Sequence, residues 1–241
     1  MHKKISEMKS IRLFLFGVAT IAASVLNAQT ADEIIAKHID ALGGKEKLNQ
    51  LKSLYAESSM EVMGSSAPVK EFFVEGKGYK NEVEFNGSLI VNCINDKGGW
   101  TINPMMGGTS ATALPDQAYK AGRTQLYFTS GLHDYAAKGY KAELAGKEGN
   151  TYKIKLTDGG SETYFYIDGA NYLLSKTQVK GEMMGQQVDI TTTYSDYKKT
   201  DFGVMVPYTK SVDMGMFQYT QKVNKVEVNK QIDQKIFDMP A

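Results

Sequence analysis

One cysteine, three histidines, one tryptophan and five prolines in 241 residues leave little material for the commonest chemistries. Cys93 has no second thiol, so no intrachain disulfide can staple the fold, and the core must hold it alone. His38 and His133 stand far apart, and no His-Glu-x-x-His spacing occurs, so the usual zinc signatures are missing. Both read as histidines of a helix face or a surface rather than as ligands or bases. There is no Gly-x-Ser-x-Gly elbow, phosphate loop or dinucleotide fingerprint. Ser195 and Lys198 match Ser-x-x-Lys in form, but they fall in a strand pattern, where residues three apart point to opposite faces. Carboxylates such as Asp196 and Asp201 are scattered as the solvated side of strands, and no pair stands out for acid–base work. The reading is therefore of a protein that is not an enzyme and carries no cofactor or metal.

No apolar run reaches the roughly 20 residues that cross a bilayer as a helix. The longest, Leu13 to Ala23, follows Lys3, Lys4, Lys9 and Arg12 and ends near Leu26-Asn27-Ala28-Gln29. That order of charge, apolar run and small residues reads as a secretory signal peptide over residues 1–28, cut after Ala28. No cysteine stands at the cleavage site to carry a lipid anchor. Once the leader's four basic residues and Glu7 are gone, 24 basic residues face 26 acidic ones. Such a balance gives no general attraction to nucleic acid or to an anionic membrane. Residues 29–241 are read as one domain, since no repeat, low-complexity tract or proline-rich linker divides them.

Thr30-Ala31-Asp32-Glu33 has the pattern of a capping box, and Ile34, Ile35, His38, Ile39 and Leu42 recur at helical spacing until Gly43-Gly44. A second short helical stretch runs through Leu48 and Leu51. From Ser53 the period becomes two, with Ala56, Met60 and Val62 expected inward and Glu57 and Glu61 toward water. Further strands are predicted at 69–75, 78–85, 88–95, 99–103, 139–145, 151–157, 162–167, 172–180, 187–197, 204–213 and 217–229. Asn86-Gly87, Asp96-Lys97-Gly98-Gly99, Asp158-Gly159-Gly160 and Asp168-Gly169 supply turns between them. The segment 107–138 lacks alternation and reads as helix and loop lying over the sheet.

Methionine is the residue in excess, clustered at Met60 and Met63, Met105-Met106, Met183-Met184, and Met214 and Met216. Flexible thioethers suit either a mobile lipid-facing rim or ordinary core filling.

Trp100-Thr101-Ile102-Asn103-Pro104 is similar to a Trp-x-aromatic-x-Pro strand end, with Ile102 in place of the aromatic. Tyr164 to Asp168 with Tyr172-Leu173-Leu174 and Lys176, then Tyr194 to Tyr197, Gly203, Pro207 and the closing Asn229 to Pro240, continue the same order. Together these resemble the LolA-like outer-membrane lipoprotein-sorting proteins over nearly the whole chain after the leader. The resemblance implies a mostly β fold with a few helices: an incomplete antiparallel β-barrel, a curved sheet wrapped over a helical lid, with an apolar cavity between. It implies a periplasmic carrier of lipoprotein or lipid acyl chains, with donor and acceptor proteins at the inner and outer membranes as partners, acting as a monomer. Such carriers keep a basic residue near the cavity mouth; spacing singles out no equivalent among Lys70, Lys77, Lys80 and Arg123. The candidate ligand contacts are Met60, Val62, Trp100, Ile102, Met105, Met106, Tyr164, Tyr166, Met183 and Met184. The alternative is a protein- or peptide-binding module on the same fold with a filled core.

Overall fold

The amphipathic segment that follows Thr30 forms α1 (Ala31–Ala41), with Asp32 and Glu33 in the first turn, where the helix dipole favours negative charge. The computed structural model describes residues 29–62, 64–158, 161–183, 186–215 and 217–240; the signal-peptide reading falls on residues outside these. Gly43 and Gly44, at φ 127° and 92°, turn the chain into α2 (Lys45–Gln50). A Cβ on Gly43 would lie 2.7 Å from the Gly203 carbonyl oxygen, so glycine is what lets this corner press against the sheet.

Thirteen strands among the described residues form one antiparallel sheet. The first half is a meander: β1 (Ser53–Val62), β2 (Ser65–Val74), β3 (Gly78–Phe85), β4 (Ser88–Asn95), β5 (Gly99–Asn103) and β6 (Gly108–Ala113). The second half is another: β7 (Lys141–Glu148), β8 (Thr151–Asp158), β9 (Ser161–Asp168), β10 (Leu174–Met183), β11 (Gln186–Lys199), β12 (Met205–Asp213) and β13 (Gln218–Val228). The two are joined where β1 pairs with β13, which leaves β6 and β7 as the unpaired edges of an unclosed sheet. Asn86 and Gly87 take positive φ, 51° and 74°, as the turn between β3 and β4 requires.

The stretch 107–138 is not helix and loop throughout. Its first residues, Gly108–Ala113, pair with β5 as an edge strand. Thr109, Ser110 and Thr112 lie exposed there, so an edge strand with little to bury shows no apolar alternation. The lid proper is 114–140, with α3 (Asp116–Gly122) and short 3-10 turns at Arg123–Leu126 and Tyr135–Lys138. It links the two sheet edges: α3 packs on β9 and β10, while Tyr119 Oη donates to the Asn95 carbonyl at 3.0 Å.

Pairing across the strands sorts the side chains into two faces. On the inner face Ile154, Phe165, Phe73 and Val206 pack with Ile34, Ile35, Ile39 and Leu51 from the helices and Leu132 from the lid. On the outer face Val91, Cys93 and Trp100 pack with Phe237 from the C-terminal tail, which crosses back over the sheet as a 3-10 turn, Gln234–Phe237. The Phe237 carbonyl accepts from Trp100 Nε1 at 2.9 Å and Asn95 Nδ2 at 2.8 Å. Residues 31–241 make one compact unit.

Candidate functional site

The inner face carries an ion pair that no motif announced. In β2 the inward register is Ala67, Val69, Glu71 and Phe73, so alternation places a carboxylate between buried apolar side chains. In β12 the inward register includes Val206, Tyr208 and Lys210. Lys210 Nζ reaches the Glu71 oxygens at 3.0 and 3.4 Å. β1 and β13 lie between these strands, so in a flat sheet the two backbones would stand about 14 Å apart sideways. The contact closes because the sheet curls with this face inside, helped by the register shift at Glu57/Ser58 where β1 meets β13.

Glu71 is almost wholly enclosed. Besides Lys210 it accepts from Tyr79 Oη at 2.7 Å and Gln221 Nε2 at 2.7 Å. Burial pushes its pKa up, but the Lys210 ammonium and these hydrogen bonds outweigh burial and hold the carboxyl below its usual range. For Lys210 burial works downward and Glu71 upward, and the carboxylate prevails. Tyr79 is raised well above its ordinary value by burial and by the adjacent carboxylate. Both members of the pair therefore stay ionised at neutral pH. The Lys210 side chain keeps 27% of its exposure against 6% for Glu71, so the lysine is the less enclosed member of the pair.

This arrangement offers hydrogen bonds rather than proton transfer: a lysine held protonated is no base. Among the described residues no group of three or more His, Cys, Asp or Glu is placed to hold a metal. His38 is buried, its pKa lowered to about 4 by desolvation, with its Nδ1 2.8 Å from the Tyr172 carbonyl. It ties α1 to the turn between β9 and β10. His133 Nε2 lies 2.8 Å from Asn49 Oδ1 and joins the lid to α2.

The ten candidate contacts read from the sequence do not converge. Met60 and Val62 lie on the inner face, Val62 buried and Met60 partly so. Glu57 is half-buried, where its Oε1 accepts from Tyr55 Oη at 2.9 Å, and Glu61 is exposed. Trp100 and Ile102 share a face, but it is the outer one, under the C-terminal tail. Tyr164 and Tyr166 are on the outer face as well, opposite in phase to Phe165. Tyr166 Oη donates to Gln178, with Lys176 Nζ 3.8 Å above its ring. Met105 is 60% exposed in the 3-10 turn Pro104–Met106. Met106 ends that turn and Met183 ends β10; Met184 lies outside the described residues.

Clefts open at the surface among the described residues. One of about 610 Å³ at the β1–β2 end is lined by Ser65, Thr191, Thr193, Ser211 and Thr220 together with the acids Glu61 and Asp213. Another, about 350 Å³, lies beside Phe202, Val226 and Lys230.

A thirteen-stranded sheet, curled enough to join β2 to β12 across its inner face yet left open between β6 and β7, decides the comparison with solved structures. The fold is LolA-like. A LolA superfamily protein from Nitrosomonas europaea superposes with a TM-score of 0.55 at 12% identity, over 88% of this chain and 98% of that one. A DUF1329 family protein from Desulfovibrio piger gives 0.56 at 12% identity, over 86% and 97%. An outer membrane lipoprotein-sorting protein domain from Vibrio parahaemolyticus, itself assigned by inference, gives 0.52 at 14% identity, over 86% and 97%. No protein-family profile and no curated protein matches the sequence. The LolA-like sheet thus accounts for the architecture, while Glu71 and Lys210 were missed because alternation shows which residues share a face but not which distant strand will meet them.

Proposed function

We propose that this chain is a periplasmic carrier that takes the acyl chains of a lipoprotein or lipid on the inner face of its open sheet, beneath the lid. The observation that carries the reading is the LolA-like sheet left unclosed, its edges bridged by a lid whose α3 packs lightly while Leu126, Leu132 and Tyr140 anchor the rest. In α3, Asp116, Gln117, Ala118 and Lys120 are exposed, and Gly122 alone is buried. A segment that buries so little opens at low cost, and an acyl chain offers it replacement contacts. At about 25 cal/mol per Å² a few hundred Å² of chain supplies several kcal/mol before ordering costs, enough for carriage without trapping. No helix among the described residues is long and apolar enough to cross a membrane, which fits a carrier delivered by a signal peptide. Donor and acceptor proteins at the two membranes follow from the same reading.

The second reading, a protein- or peptide-binding module with a filled core, has its own support: Ile34, Leu132, Ile154 and Phe165 beneath the helices are fully buried. Native mass spectrometry of protein purified from its own periplasm, with lipid extraction, separates the two. Bound acyl lipid that copurifies supports the carrier; lipid-free protein that also takes up none from vesicles overturns it in favour of the module.

A further inference from the structure

The Glu71–Lys210 pair divides the inner face. Toward the helices the packing is closed around Leu51, Ile154 and Phe165. Beyond the pair lies a second apolar patch, with Ala67, Val69 and Val83 buried and Met60, Phe85 and Ile90 only partly so. At the boundary one polar atom has no partner among the described residues: the Oγ of Ser58, a residue only 3% exposed. Its register sets it directly between Val69 and Val223 and diagonally next to Glu71 and Gln221, about 7–8 Å away. A hydroxyl left unpaired in a sheltered place is costly, and such an atom calls for a partner that the chain does not supply. Lys210 has capacity to spare on the same face: an ammonium carries three N–H donors, and both of its hydrogen bonds go to Glu71.

We propose that Ser58 Oγ and the spare donor capacity of Lys210 Nζ form a polar subsite for a neutral ester or hydroxyl oxygen of an acylglyceryl group, whose chain lies along Met60, Phe85 and Ile90. The inference rests on the carrier reading and names the part of the cargo that is recognised. Charge decides the class of ligand. The pair is neutral as it stands; a free carboxylate would gather two anions around one ammonium in a place with little water to screen them. An ester carbonyl or hydroxyl takes the spare donors and leaves the balance unchanged. Glu71 tolerates the sharing because Tyr79 and Gln221 still donate to it.

The test compares 1-palmitoylglycerol, palmitate and hexadecane by native mass spectrometry and competitive displacement on the full mature chain. Wild-type protein should hold 1-palmitoylglycerol about tenfold more tightly than either of the others, the worth of one sheltered hydrogen bond. Ser58→Ala, a small change, and the paired Glu71→Gln/Lys210→Met, which leaves no orphan charge, should each erase most of that preference while hexadecane binding holds. Equal binding of all three ligands by the wild type overturns the subsite and leaves the carrier standing. So does a preference for palmitate, or a preference for the ester that survives both variants. Failure of every ligand to bind overturns the subsite together with the carrier.

Discussion

His38 shows how much one buried side chain can set. With its pKa about 4 in the folded chain against about 6.5 when free, the unfolded state binds the extra proton between those values. Stability is therefore full above pH 6.5 and drains as pH falls toward 4, by roughly 3 kcal/mol in all. Urea midpoints measured from pH 7.5 to 4 should fall along that course, and His38→Gln should flatten it. The ion pair makes a different prediction. Lys210→Met alone strands the Glu71 carboxylate and should cost about 3–5 kcal/mol, whereas Glu71→Gln/Lys210→Met together should recover most of the loss. If chemical denaturation finds the single and double variants equally weak, the penalty is one of shape rather than charge. At this scale the sequence was partly legible. Alternation paired Trp100 with Ile102 and kept Phe165 out of phase with Tyr164 and Tyr166. It turned Met60 and Val62 inward correctly, but at Trp100 it could not say which face was inner, because the C-terminal tail makes part of the outer face apolar too.

Elements were read more surely where they bury one side. The helices before Ser53 and most strand turns appear where the periodicity predicts them, while β6, exposed on both sides, gave no pattern to read. The tail offers a test at this scale. A Cβ at Gly78 would come within 2.4 Å of the Phe237 ring, so Gly78→Ala should lift the tail from Trp100. Phe237→Ala, which removes the ring instead, should cost about 3–5 kcal/mol. Both should shift Trp100 emission to the red; an unchanged spectrum would mean the tail does not shield the indole. The lid offers another. Amides over 114–140 should exchange faster than those of β8 and β9 without ligand, and their protection should change when acyl lipid binds. Uniformly slow exchange, indifferent to lipid, would leave the carrier without a way to open.

At the scale of the molecule, the order of strands has a consequence for how the chain reaches its shape. β1 lies between β2 and β13, and Lys52 donates to Asn229 across 177 residues of sequence. While the polypeptide is being made, the first meander can assemble early, but its β1 flank stays a bare ladder of donors and acceptors until β13 arrives. Contacts of such long range delay the committed step, and topology of this kind folds in milliseconds to seconds rather than microseconds. During that interval the open flank invites any other extended chain to take β13's place. The seam between first and last strands is thus a kinetic checkpoint: half-made molecules are adhesive, finished ones are not, and holding chaperones would matter most just before the C-terminus is released.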